Sequence, residues 1–216
     1  MYRFAAIALV LAALSVPGMA TTTIDTYSGW DGYSYIYPFG QPETRTYGQT
    51  FIAPAENVLT DFSFWLASDY LSVEDFKGYV MGWDGHEVTG TVLFGSDART
   101  LAEGSDWTQF LFETGGLALT PGDAYVLMLS CPIDDREGTG IMAVSYDELY
   151  ADGDFVHDNN YSWDELYTQW DNDGESWGWT GYDAAIIANF APGLPIFALV
   201  GAAPLVGGLL RRFRRK

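Results

Sequence analysis

The sequence predicts an all-β domain, an antiparallel β-sandwich or jelly roll, between an N-terminal signal peptide and a C-terminal transmembrane helix. Short runs rich in aromatic and β-branched residues recur through the middle of the chain, and turn-forming residues separate them. Little helical periodicity lies between these runs. Strands in this arrangement pack as two antiparallel sheets, because there are no helices to cover a parallel sheet.

The first twenty residues have the three parts of a secretory signal peptide. Arg3 supplies the positive n-region, residues 4–14 form an apolar h-region, and residues 15–20 are mostly small. The apolar run is too short to span a bilayer as a helix, which takes about 20 residues. We therefore predict that residues 1–20 are removed and that the mature chain begins near Thr21.

The domain, residues 21–190, reads as a series of strands. The predicted strands cover residues 44–52, 57–66, 76–83, 88–94, 107–112, 124–131, 141–146 and 184–190. Apolar and other side chains alternate in residues 61–66, which predicts Phe62, Phe64 and Leu66 in the core and Trp65 on the outer face.

Turn chemistry separates the predicted strands. Asp84-Gly85 is a hairpin signal, and Pro121-Gly122 is typical of a β-turn. The apolar residues of 163–170 recur at intervals of three and four, which indicates a weak helix or a loop. Together these patterns predict a single domain, and its length is sufficient for a β-sandwich.

Side chains suited to catalysis are few, and we predict that the protein is not an enzyme. The histidines, His86 and His157, are expected in solvated loops, and Cys131 lies in an apolar run where a small buried side chain is expected. The sequence has no nucleophile elbow, zinc-protease helix or phosphate-binding glycine loop. A carboxylate-dependent hydrolase stays open as an alternative, because two acids in a cleft would suffice.

The domain carries a large negative charge. All 29 acidic residues lie within residues 21–190, whereas six of the ten basic residues lie outside it, so four against 29 leaves a formal charge of −25. A surface of this sign repels phosphates, which excludes nucleic acid as an expected partner. It attracts cations.

Acidic residues and tryptophans are crowded together in residues 146–183. The segment containing Asp171, Asp173 and Glu175 offers closely spaced hard oxygen ligands, which points to a structural calcium ion. An acidic loop without metal is the alternative, and no other cofactor is expected.

The same region offers aromatic side chains for a sugar. Aromatic faces cover the C–H side of a pyranose while neighbouring carboxylates and amides accept hydrogen bonds from its hydroxyls. Trp177 and Trp179 would share one face of an extended segment. We therefore predict a carbohydrate site formed by Trp163, Trp170, Trp177 and Trp179. Packing of these indoles against one end of the sandwich is the alternative.

The C-terminal tail, residues 191–216, is predicted to be a membrane anchor. No charged side chain occurs from Phe190 to Leu210, and this length as a helix reaches about 30 Å, close to the hydrocarbon thickness of a bilayer. Pro192 and Pro195 lie at its start. A terminal basic cluster stays on the cytoplasmic side and places the domain outside. It comprises Arg211, Arg212, Arg214, Arg215 and Lys216.

The signal peptide, the small domain, the proline-bearing hinge, the apolar helix and the terminal arginines together resemble the PEP-CTERM sorting proteins of bacteria. Tyr47-Gly48-Gln49-Thr50-Phe51 and Gly115-Gly116-Leu117-Ala118-Leu119-Thr120-Pro121-Gly122 resemble segments that recur in their bodies. The resemblance implies a tail read by a membrane-embedded exosortase and an association with exopolysaccharide. Where the family has Pro-Glu-Pro, this sequence reads Ala191-Pro192-Gly193-Leu194-Pro195, so simple anchoring is the alternative.

These features together predict a non-enzymatic, exported protein of the cell surface or extracellular matrix. Its expected partners are the membrane, through the C-terminal helix, a sorting or processing protease, and extracellular polysaccharide. The domain is expected outside the cytoplasm, either anchored or released after processing. A carbohydrate-binding module that uses Trp177 and Trp179 is the main alternative.

Overall fold

The computed structural model describes residues 21–40, 44–68, 71–131, 138–158 and 181–193. Within these ranges the chain forms two antiparallel sheets that share one core, which confirms the all-β, sandwich-like prediction. The described ranges contain no α-helix, and one short 3-10 turn covers Tyr27–Gly29. No helix in these ranges is long and apolar enough to cross a membrane.

Sheet 1 has seven strands in the described part of the chain, numbered here in chain order through the whole molecule. They are β1 (Thr22–Asp25), β2 (Tyr35–Phe39), β4 (Val58–Ala67), β8 (Thr108–Ala118), β10 (Gly140–Ser145), β12 (Asp183–Ala184) and β13 (Ile186–Ala191). The main order is β1-β13-β4-β10-β12. In addition, β8 pairs with β4, and β2 pairs with β10.

Sheet 2 has six strands in the described ranges. They are β3 (Thr46–Ile52), β5 (Val73–Trp83), β6 (Val88–Gly95), β7 (Arg99–Leu101), β9 (Ala124–Ser130) and β11 (Phe155–Asp158). The main order is β11-β3-β9-β5-β6, and β7 pairs with the start of β5. Its inward face meets that of sheet 1.

The core lies between the two sheets and follows the alternation of side chains along the strands. Phe62, Phe64 and Leu66 of β4 are fully buried there, as the alternation predicts. Leu127 and Leu129 of β9 face them from sheet 2. Cys131, which forms no disulfide, is buried directly after that strand, in agreement with the expectation of a small core residue.

Both predicted turns are present. The backbone of Asp84 donates to the carbonyl of Glu87, and Gly85 has a φ of +104°, a conformation that favours glycine. At the second turn the N–H of Asp123 donates to the carbonyl of Thr120. These turns connect β5 to β6 and lead into β9.

One buried polar network joins the two sheets at one end of the sandwich. Gln49 of β3 donates from Nε2 to a carboxylate oxygen of Asp183 at 2.8 Å, and its Oε1 accepts from the N–H of Ala184 at 2.8 Å. The other oxygen of Asp183 accepts from the N–H groups of Leu149 and Tyr150 at 2.7 and 2.8 Å. One carboxylate therefore fixes β12, β3 and the connection after β10 together.

One expectation needs correction. His157 is not in a solvated loop: it lies in β11, half-buried, beside Phe155 and Tyr47. Phe190, the last residue of the predicted strand 184–190, is a buried core residue of β13 and packs against Phe51.

Several predictions fall outside the described residues. They are the signal peptide over 1–20, the weak helix or loop over 163–170, and the tail beyond Gly193, with Pro195 and the basic cluster at 211–216. Pro192 is described, and it follows the end of β13 directly.

Candidate functional site

The outer face of sheet 1 carries a group of packed aromatic rings. Trp65 of β4 points outward, as predicted, yet is only 7% exposed, because the ring of Tyr27 stacks on it at 3.7 Å between centroids. Ala143 and Ala185 lie beside Trp65 in the same cluster. Small side chains at these positions leave room for the large rings to lie flat on the sheet.

A second indole extends this group. Trp30 packs edge-on against Trp107 at 4.9 Å and lies 5.8 Å from the ring of Tyr27. Its Nε1 donates to the carbonyl of Ser34 at 2.7 Å. The polar end of the indole is therefore satisfied within the protein, which fixes the ring while leaving it half-buried.

Two aspartates hold the connection that presents these rings. Asp25 accepts from the N–H of Ser28 at 2.8 Å, and Asp31 accepts from the N–H groups of Tyr33 and Ser34 at 3.0 and 2.7 Å. Desolvation acts to raise the pKa of Asp31, but the hydrogen bonds from Ser34 and Tyr33 outweigh it, so the pKa is lowered. Asp31 thus keeps a negative charge beside the rings.

Four exposed tyrosines continue the surface. Tyr33 is 73%, Tyr35 48%, Tyr37 60% and Tyr146 49% exposed. Tyr35 lies opposite Ala143 in the β2–β10 ladder and so faces outward. The hydroxyl of Tyr146 donates to the carbonyl of Tyr35 at 2.7 Å. Desolvation, reinforced by Tyr182, raises the pKa of Tyr146, so its hydroxyl stays protonated at neutral pH.

These residues are named here the aromatic surface. It consists of Tyr27, Trp30, Tyr33, Tyr35, Tyr37, Trp65, Trp107 and Tyr146. The tryptophans form a packed base and the tyrosines supply exposed rings with hydroxyl groups. Exposed rings on a rigid base suit the stacking of apolar ligand faces, because little side-chain freedom is lost on binding.

Apart from the aromatic surface, a concavity lies between β8 and the connection from β6 to β7. Its volume is about 470 Å³, and Phe94, Asp97, Arg99, Phe112 and Glu113 line it. The guanidinium carbon of Arg99 lies 6.0 Å from the centre of the Phe112 ring. Two carboxylates and a cation thus border a partly apolar groove, the setting that the hydrolase alternative would use.

The predicted ligand residues fall outside the described ranges. These are Trp163, Trp170, Trp177 and Trp179 for carbohydrate, and Asp171, Asp173 and Glu175 for calcium. In the ranges that are described, no three His, Cys, Asp or Glu side chains are grouped so that they could hold a metal ion.

Comparisons with known proteins inform the fold alone. No family model matches the chain. No curated protein matches it either. Among solved structures, the chain is similar to a clostridial cysteine protease after propeptide cleavage, with a TM-score of 0.51 and 12% sequence identity. The match covers 80% of this chain and 40% of that chain.

The sequence held a signal for the aromatic surface. Tyr33, Tyr35 and Tyr37 recur at every second residue, a spacing that places them on one side of an extended segment. Asp31-Gly32 before them and Pro38 after them are typical of turns, and they argue against a strand at this place in the sequence. The stacking of Tyr27 on Trp65 joins residues that are far apart in the sequence, so no local spacing predicts it.

Proposed function

We propose that this chain is an exported, non-enzymatic protein of the cell surface or matrix, and that its β-sandwich binds polysaccharide through the aromatic surface. The observation that carries the proposal is the set of four tyrosines, exposed by about half or more, together with the packed indoles on the outer face of sheet 1. The rings offer apolar faces to sugar C–H groups. The tyrosine hydroxyls and the exposed carboxylate of Asp31 offer hydrogen bonds to sugar hydroxyls.

The aromatic surface is open rather than enclosed, because its four tyrosines are exposed by about half or more. An open set of rings suits an extended polymer, whose successive sugars can each contact one ring. A single ring contributes little, so affinity comes from several contacts along one polysaccharide chain. This fits a matrix role, in which the ligand is long and present at high local concentration.

The double variant Tyr33→Ala and Tyr37→Ala should reduce retention by neutral soluble polysaccharides by about fivefold to a hundredfold, because each lost ring contributes roughly 0.5–1.5 kcal/mol. The measurement is affinity electrophoresis of the full-length chain in gels containing hydroxyethyl cellulose, mixed-linkage β-glucan or galactomannan. The melting temperature should change little, because both side chains are exposed.

Leu93→Ala is the matched control, since Leu93 is an exposed apolar residue of β6 in sheet 2. Its retention should equal that of the wild type. Equal retention of the Tyr33/Tyr37 variant would contradict the proposal. Loss of retention only in a Trp177→Ala, Trp179→Ala variant would instead move binding to the segment that the sequence predicted.

The terminal features of the sequence support the other half of the proposal, which is export. When the chain is expressed in a Gram-negative host, we expect it outside the cytosol and shortened by about twenty N-terminal residues, as a signal peptide requires. Cell fractionation followed by N-terminal sequencing measures both. A variant with Phe4–Leu14 interrupted by two aspartates should stay in the cytosol, and a cytosolic wild-type chain with an intact N-terminus would refute export.

A further inference from the structure

Charge is divided unevenly between the two sheets. The described lysine and arginine residues, Arg45, Lys77 and Arg99, lie in sheet 2 or directly beside its strands. Within the described ranges, every charged side chain of the sheet 1 strands and of the 26–34 and 146–154 connections is acidic. Sheet 1 therefore presents a field of one sign around the aromatic surface.

Acidic side chains border the exposed tyrosines closely. Asp31 lies near enough to Tyr146 to act on it electrostatically. Asp147 and Glu148 follow Tyr146 in the chain, and both are exposed. Asp25 precedes Tyr27 and is also exposed. A ligand on these rings would meet carboxylates and no described cation.

The negative charge around the aromatic surface determines which polysaccharides could bind. Uronic acid or sulfated polymers would bring like charges together at short range, which opposes binding. An ammonium group gains twice on this surface: its charge is attracted to the carboxylates, and it interacts favourably with the face of an aromatic ring. A neutral sugar gains from ring stacking alone.

We propose that the ligand of the aromatic surface is an amino-sugar polymer with free ammonium groups, that is, one that is at least partly de-N-acetylated. This inference rests on the proposed polysaccharide binding and names its ligand class. The pyranose rings stack on the tyrosines, while the ammonium groups at C2 lie against Asp31, Asp147 and Glu148. Polyanionic polysaccharides are rejected.

Three oligosaccharides of equal length separate charge from stacking. The probes are the hexamer of β-1,4-glucosamine, the same hexamer fully N-acetylated, and a hexamer of galacturonate, each titrated calorimetrically into the full-length chain at pH 6. We expect the glucosamine hexamer to bind about tenfold or more tightly than the acetylated hexamer, and the galacturonate hexamer not to bind. The advantage should shrink in 0.5 M salt, because exposed charges are screened.

Matched variants distinguish a site from general attraction to an acidic protein. Asp147→Asn with Glu148→Gln, beside the tyrosines, should reduce the preference for glucosamine several-fold. Glu87→Gln with Asp123→Asn removes the same charge from exposed positions directly before β6 and β9 in sheet 2, and it should leave the preference unchanged. The variant Tyr37→Ala with Tyr146→Ala leaves the net charge unaltered. It should abolish the preference for the glucosamine hexamer.

The outcomes separate this inference from the proposed function. Equal effects of the two charge-removing variants, or tight binding by the charge-neutral tyrosine variant, would mean unspecific attraction and overturn the inference. Equal, tyrosine-dependent binding of the acetylated and free hexamers would overturn the inference and support the proposed function. Tyrosine-independent binding of every probe, or none at all, would overturn both.

Discussion

Replacing Phe112 with alanine should lower the free energy of unfolding by about 3–5 kcal/mol, the usual cost of deleting a buried aromatic ring. Phe112 is 1% exposed, stacks on Phe62 at 5.0 Å, and spans the core from β8 to β5. Small domains have about 5–15 kcal/mol in total, so this loss removes a large share of the stability. Urea denaturation monitored by tryptophan fluorescence measures the change.

Gly78 of β5, which contacts Phe112 across the core, allows a second test of this packing. A Cβ on Gly78 would lie 2.7–2.8 Å from ring carbons of Phe112, so Gly78→Ala alone should cost about 1–3 kcal/mol by overpacking. In the Phe112→Ala background that cost should largely disappear, because the ring is gone. Strictly additive free energies would contradict the packing described here. Leu111→Ala, exposed and next in the strand, is the control and should change stability little.

Replacing Asp183 with alanine should cost roughly 3 kcal/mol or more, because three donors lose their acceptor at once. These are the Nε2 of Gln49 and the N–H groups of Leu149 and Tyr150. Asp152→Ala, which removes an exposed carboxylate from the same connection, should change stability by no more than about 0.5 kcal/mol. Equal melting temperatures of the two variants would contradict the proposed importance of the network.

The same carboxylate should make stability depend on pH. Desolvation raises the pKa of Asp183 in the folded protein above its ordinary value of 3.8, against the hydrogen bonds from Tyr150, Leu149 and Gln49, which lower it. The folded state therefore binds the proton more tightly than the unfolded state, and stability from this group falls as pH rises from 3.8 through the raised pKa. Wild type should lose stability relative to Asp183→Asn across that window. A difference in stability between the two proteins that stays constant with pH would contradict the raised pKa of Asp183.

The sequence predicted the long strands well, for a simple physical reason. Residues 57–66 and 124–131 are apolar on the face that the core needs, and turns bound them, so local pattern and tertiary burial agree. β1, β2, β7 and β11 escaped prediction, because strands of three to five residues carry too little pattern. Their existence depends on pairing with longer neighbours, which the local sequence does not encode.

The candidate site was less predictable than the fold. Trp65 was correctly expected on the outer face, yet its burial arises from Tyr27, which comes from a distant part of the chain. Local sequence predicts Trp177 and Trp179 as ligand residues, since they are close in sequence, whereas the aromatic surface draws on four separate segments. Aromatic residues that only the tertiary structure brings together do not recur at a fixed spacing in the sequence.

The place of β13 in sheet 1 has a consequence for the order of events during folding. This strand, the last one in the described ranges, lies in the interior of the sheet, between β1 and β4, and its Ile186 pairs with Phe64 while its Phe190 pairs with Thr22. A chain made from its N-terminus cannot complete this part of the sheet until residues 186–191 are available. Contacts so distant in sequence form slowly, so the closure of sheet 1 should be a late step in folding.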